Sequence, residues 1–88
     1  MYRLDFMPGV QRTLRDLPDR LRQGISEILL DLRDEPQPPD SQPLDRELLG
    51  LYRIRVDGWR IIYAIDADAQ VVRVESIRPR NAQTYLNL

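Results

Sequence analysis

The chain has 88 residues, 42% of them hydrophobic and 31% charged, proportions that exclude a disordered or membrane-embedded chain and fit one small folded domain over residues 1–88. It contains no His, no Lys and no Cys, so all 13 basic residues are Arg; this excludes imidazole bases, thiolate and imidazole metal ligands, lysine nucleophiles and a disulfide framework. The formal net charge of −1 argues against strong long-range steering of a polyanion, but residues 1–50 hold 7 Arg against 10 Asp and Glu, whereas residues 51–88 hold 6 Arg against 4.

Biased codon usage is enough to put Arg in place of Lys throughout, so Arg counts here by position and not by number. Any catalysis must run on Arg, Tyr, carboxylates, hydroxyls and backbone groups. The N-terminus carries no apolar stretch followed by a small-residue cleavage site, and the longest apolar run covers only residues 61–65. With no Cys to suggest an oxidising compartment, the expected location is the cytoplasm, without membrane attachment.

Alternation of aromatic and aliphatic residues predicts a short strand over residues 2–6, closed by Pro8-Gly9. Val10, Leu14 and Leu17 recur at helical spacing after a proline suited to a first turn, giving a helix over residues 8–17. A break at Leu17-Pro18 leads to a second helix over residues 19–34, where Leu21, Ile25, Ile28, Leu29 and Leu32 form an apolar stripe. Arg15, Arg20, Arg22, Glu27, Asp31 and Arg33 fall mostly on its solvated side. Residues 35–43 hold four prolines and read as a stiff surface loop, neither helix nor central strand. Strands follow over 49–56 and 59–66, then a turn around 67–69 and a last strand over 70–77. The element order makes an α+β domain: an N-terminal strand, a two-helix hairpin, then a three-strand antiparallel meander, with both helices on one face of a twisted antiparallel sheet.

The central segment LYRIRVDGWRIIY, residues 51–63, is the most informative. Asp57-Gly58 is a strong signal for a two-residue type I′ turn, in which both central residues take φ > 0. Such a turn sets Val56 opposite Trp59, Arg55 opposite Arg60, Ile54 opposite Ile61, Arg53 opposite Ile62 and Tyr52 opposite Tyr63. Tyr52, Ile54, Val56, Trp59, Ile61 and Tyr63 then share the face that the helices must cover, and Arg53, Arg55 and Arg60 gather on the other, open to solvent or a partner. Like charges this close repel. Guanidinium groups suit phosphate best, so an anionic partner is expected.

The run L-x5-G-x-Y-R-I-R-V-D-G-W-R-I-I-Y-A-I-D from Leu44, followed by a strand, I-R-P-R and Tyr85, resembles the RelE/ParE superfamily of toxins from type II toxin-antitoxin modules. The likeness covers essentially the whole chain in element order. It implies a RelE-like fold and, for members similar to RelE, a ribosome-dependent messenger-RNA endonuclease needing no metal or other cofactor, held in check by a cognate antitoxin protein. On that resemblance Arg53 and Arg55 match two substrate-binding basic positions on the first hairpin strand, Arg60 the catalytic Arg opening the second, and Arg80 the catalytic Arg after the last strand. Tyr85 matches the catalytic C-terminal Tyr once one residue is taken as missing after Arg80. Arg stands at 53 and 55 where such enzymes often carry Lys, which keeps the charge but removes a proton acceptor.

Each residue has a plainer reading beside the catalytic one. Arg53 and Arg55 pair with Asp45, Glu47 or Glu75, or dock an acidic antitoxin segment; Arg80 closes the C-terminus onto the sheet; Tyr85 packs with Leu86 and Leu88 on the core. Glu75, alternating with Arg73 onto the open face, is either the general base or an ion-pair partner of the arginines. Three functions therefore remain: messenger-RNA cleavage, a ParE-like non-nucleolytic inhibition of DNA gyrase, or a degenerate member that only binds its antitoxin.

Overall fold

The computed structural model describes residues 1–44 and 50–80. In chain order these form β1 (Arg3–Phe6), α1 (Val10–Arg15), α2 (Asp19–Asp31), β2 (Gln42–Pro43), β3 (Leu51–Val56), β4 (Trp59–Asp66) and β5 (Val71–Pro79). The strands build a single sheet in the order β1-β5-β4-β3-β2. β2 through β5 run antiparallel as a meander, while β1 lies parallel to β5. The sheet is thus mixed, not antiparallel throughout. A parallel partner requires a long connection between the strands, and the helix pair and meander between β1 and β5 supply one.

Glycine sets the start of α1. Gly9 takes φ 87°, a left-handed conformation, as the residue before the helix, so Pro8 stays in the preceding turn and the helix starts at Val10, two residues later than its sequence suggests. α2 ends at Asp31, short of the expected residue 34, because the chain tightens: the N–H groups of Arg33 and Asp34 donate to the carbonyls of Leu30 and Asp31 at 3.1 Å each. Pro36 lies just beyond and disfavours helix for the residue before it. Arg22, assigned above to the solvated side of α2, reaches back instead. Its guanidinium donates to the carbonyls of Arg15 and Leu17 and to the Asp19 carboxylate, clasping the break between the helices.

The core lies on one side of the sheet. Val10, Leu17, Ile25, Leu29 and Leu32 from the helical segment pack with Ile54, Ile61, Tyr63, Val72, Val74 and Ile77 from the strands, and Tyr52, Val56 and Trp59 border them. β2 falls within the proline-rich segment. Pro43 has no N–H to give, which an edge strand tolerates.

Tyr63 ties that segment to the core. Its ring is fully buried and stacks on Tyr52 at 5.8 Å, and its hydroxyl donates to the Pro36 carbonyl at 2.7 Å. Burial pushes the phenol up from 10.0 to about 12, a nearby Ser41 hydroxyl offsetting part of the effect. The protonated form is the one the fold favours. The resulting stability is complete below pH 10, the unfolded value, and is lost as pH rises toward 12. A displacement of that size corresponds to about 2–3 kcal/mol. Urea unfolding of wild type and Tyr63→Phe from pH 8 upward should therefore show a steep alkaline decline in the wild type and a shallower one in the variant. Parallel declines would mean that Tyr63 titrates as an ordinary phenol.

Candidate functional site

The hairpin pairs residue for residue as its turn dictates: Val56 with Trp59, Arg55 with Arg60, Ile54 with Ile61, Arg53 with Ile62, Tyr52 with Tyr63. The turn itself is not type I′. Asp57 takes φ 52°, but Gly58 lies outside the left-handed region, so only one central residue has the conformation that a type I′ turn needs at both. Two-residue turns share one register, and the face assignment survives.

The face opposite the helices carries Arg53 and Arg55 on β3 and Arg60 on β4. Arg80 follows β5 and is fixed by its backbone, whose N–H donates to the Gly58 carbonyl at 2.6 Å, so the end of the last strand is tied to the hairpin turn. Its charge reaches the same cluster. Arg60 is held below the ordinary arginine value first by desolvation, then by the charges of Arg53, Arg55 and Arg80. Arg53 is depressed by desolvation and then by Arg55 and Arg80. Four residues from three separate stretches of sequence thus press on one another electrostatically. The Arg53 guanidinium also donates to the Gln42 side-chain carbonyl on β2.

The face is less open than alternation alone implies. Arg55 and Arg80 are exposed and Arg53 is half-buried, but Arg60 is only 4% exposed and Ile62 beside it is fully buried. Arg60 sits on the central strand with Arg55 opposite on one side and Arg78 on the other, so long side chains flank it on both sides. Its guanidinium is therefore a sheltered charge and not the exposed one expected.

Arg78 escapes a reading by strict alternation. Counting from Arg73 on the open face puts Glu75 and Ile77 on that face and Arg78 among the helices. The structure interrupts the count: Ile62 pairs with Ser76 but Tyr63 with Val74, a bulge that leaves Glu75 unpaired. Ile77 turns into the core and Arg78 turns onto the arginine face, opposite Arg60. The sequence does hold a signal, since the apolar positions of β5 change parity between Val74 and Ile77. Ser76 lies on the same face as Arg60, and its buried Oγ has no hydrogen-bond partner among the described residues.

Glu75 does not bridge to the hairpin arginines in the described contacts. Its carboxylate accepts from Arg73 Nε at 2.6 Å, along its own strand. At the β1 end of the face, Arg3 Nε meets Asp5 at 3.1 Å, and Arg73 is held above the ordinary arginine value mainly by Glu75, with smaller contributions from Asp66 and Asp5. Among the described residues the face therefore has two halves, one rich in arginine at the hairpin and one with paired charges at β1. Tyr85 and the proposed partners Asp45 and Glu47 lie outside the described residues, as does the expected strand start at Leu49. Among the described residues, no three of His, Cys, Asp or Glu gather as a metal-binding group.

Such a site suits a phosphodiester. Forked guanidinium donors can engage phosphate oxygens in pairs, and a sheltered cation acts through a lower dielectric than an exposed one.

A family model described as the ParE toxin of the type II toxin-antitoxin system, parDE, matches residues 4–83. Among solved structures, a chain of the toxin-antitoxin complex RelBE2 from Mycobacterium tuberculosis is similar at 31% identity and a TM-score of 0.76, over 90% of this chain and 98% of that one. The archaeal RelE-RelB complex from Pyrococcus horikoshii contributes a match at 28% identity and a TM-score of 0.80, over 92% and 97%. The isolated E. coli RelE toxin, at 23% identity, a TM-score of 0.78 and coverage of 99% and 94%, shares the fold. No curated protein matches the sequence.

Proposed function

This chain belongs to the ParE toxin family and is the toxin of a type II toxin-antitoxin module, and from that premise we propose that its arginine face cuts messenger RNA held on the ribosome. The observation that carries this reading is the convergence of the Arg53, Arg55 and Arg80 charges on the sheltered Arg60. A surface whose cations already repel one another gains most when an anion enters, and the gain grows as negative charge builds on phosphorus.

In the reaction, the ribose 2′-oxygen attacks the adjacent phosphorus as the bond to the 5′-oxygen breaks. The 2′-hydroxyl loses its proton, the leaving 5′-oxygen gains one, and the products are a 2′,3′-cyclic phosphate and a free 5′-hydroxyl. Arg60 and Arg80 supply forked donors to the non-bridging oxygens. Arg53 and Arg55 hold the flanking backbone. Tyr85 takes the part of a base-stacking or proton-transferring group. Glu75 is a poor general base, because its carboxylate is already committed to Arg73 Nε at 2.6 Å. Primer extension on total RNA after induction tests the proposal. Cuts within translated frames support it, whereas intact messages with stalled replication indicate gyrase inhibition.

The gyrase reading draws on two observations, a family model that is the ParE toxin and an Arg60 only 4% exposed. A third reading, a protein that only binds its antitoxin, requires that induction leave growth unchanged.

The proposed setting is a single domain acting in the cytoplasm, where ribosomes are. No helix among the described residues is long and apolar enough to cross a membrane. The proposed partner is a cognate antitoxin that covers the arginine face with an acidic segment or displaces the segment from Arg80 to Tyr85. Its association should slow with added salt while apolar contacts keep dissociation slow. An Arg53→Glu, Arg55→Glu double variant should bind the antitoxin at least 10-fold more weakly, with a flatter salt dependence. Unchanged affinity and salt dependence would place the antitoxin elsewhere.

A further inference from the structure

Across three adjacent strands the arginines form a row: Arg55 on β3 stands opposite Arg60 on β4, and Arg60 stands opposite Arg78 on β5. The bulge at Glu75 is what brings Arg78 to this side. Neighbouring strands lie about 4.8 Å apart, so the row spans roughly 10 Å perpendicular to the strands, before the long side chains fan outward. Along β4 and β5 away from the hairpin, the same face carries Asp66 and Glu75, with Arg73 held in an ion pair, and β1 beside that end adds the Arg3–Asp5 pair. A chain of phosphates that follows the row therefore crosses the strands at the hairpin end, with Arg53 and Arg80 at its flanks.

We infer that Arg78 is a substrate-binding residue, the β5 contact of an RNA track that runs across β3, β4 and β5 with Arg60 at its centre and Arg55 at its other end. Arg78 engages the phosphate next to the scissile one. Arg73, on the same strand and face but within the half with paired charges, makes no such contact. The inference rests on the ribonuclease reading.

Counterion release separates the two arginines. A single-stranded RNA loses about 0.7 in the slope of log K against log salt for each phosphate contact removed. Binding of a fluorescein-labelled, 2′-O-methylated oligoribonucleotide, which cannot be cut, is measured by anisotropy over a range of NaCl concentrations. Arg78→Ala should weaken binding and flatten the slope by about 0.7, Arg78→Lys should restore the slope, and Arg73→Ala should leave both unchanged. Thermal melts identify any variant that fails to fold; Arg78→Gln, which keeps most of the stem, then takes the place of Arg78→Ala. A slope unchanged in the Arg78 variants but flattened in Arg60→Ala overturns the inference and leaves the arginine face as the RNA site. Equal losses for Arg73 and Arg78 also overturn it, since charge at either end would then suffice. Slopes unchanged in all three, or no binding by wild type, also overturn the inference, while the ribonuclease reading itself stands or falls on the primer extension.

Discussion

Arg80→Ala is expected to lower cleavage of ribosome-bound messenger RNA by about 100- to 1,000-fold, the usual cost of removing one donor aimed at developing charge. The thermal midpoint should stay nearly unchanged. Arg80 is exposed, and what anchors it is its backbone N–H on the Gly58 carbonyl, which Ala retains. Arg60→Ala should abolish cleavage to a similar degree, with a different stability signature. Its side chain is buried, so truncation loses the packing of the stem but also relieves a desolvated cation of repulsion from Arg53, Arg55 and Arg80. These effects oppose one another, and the net change should stay within about 1–2 kcal/mol. Arg60→Lys tests the geometry: it keeps the charge but not the fork, and should recover little activity. Toxicity on induction and melts of the purified variants check all three. An active Arg80→Ala, or an Arg60→Lys equal to wild type, would remove the forked-donor role.

Free RNA should be cut far more slowly than messenger RNA in the decoding site. With no His or Lys anywhere in the chain and Glu75 engaged by Arg73, the protein lacks a strong base. Most of the rate must then come from holding the 2′-hydroxyl in line with the scissile bond. Alignment of this kind is worth about 7–11 kcal/mol, which is enough to hide activity when the ribosome is not there to provide it. Single-turnover assays with the same message, free and ribosome-bound, measure the ratio directly. Comparable rates would mean that the isolated arginine face orients its own substrate.

The two results together would distinguish a site that stabilises charge from one that also positions the reacting atoms. Loss in Arg80→Ala with a large ribosome effect assigns charge stabilisation to the protein and alignment to the ribosome.

Local features of the sequence determined the hairpin and its two faces. Asp57-Gly58 confines the chain to a two-residue turn, which sets the register of every pair from Val56 and Trp59 down to Tyr52 and Tyr63. The apolar spacing of Leu21, Ile25, Ile28, Leu29 and Leu32 likewise required a helix with one buried face, and Ile25, Leu29 and Leu32 are buried. The turn type was not determined, because several two-residue turns give one register. Four features needed the assembled sheet. β1 lies parallel to β5 through pairing between the two ends of the described chain. Arg60 is buried because its strand is central. Arg80 joins the hairpin arginines through a hydrogen bond to Gly58, distant in sequence but adjacent across the sheet. Arg78 shares their face because β5 bulges at Glu75, where Ile77 must reach the core on one side while Arg73 stays in solvent on the other. Alternation is a property of a single strand, whereas a bulge is settled between two strands and the core beneath them. The chain could therefore announce an arginine face on its own, but which arginines meet there depended on packing.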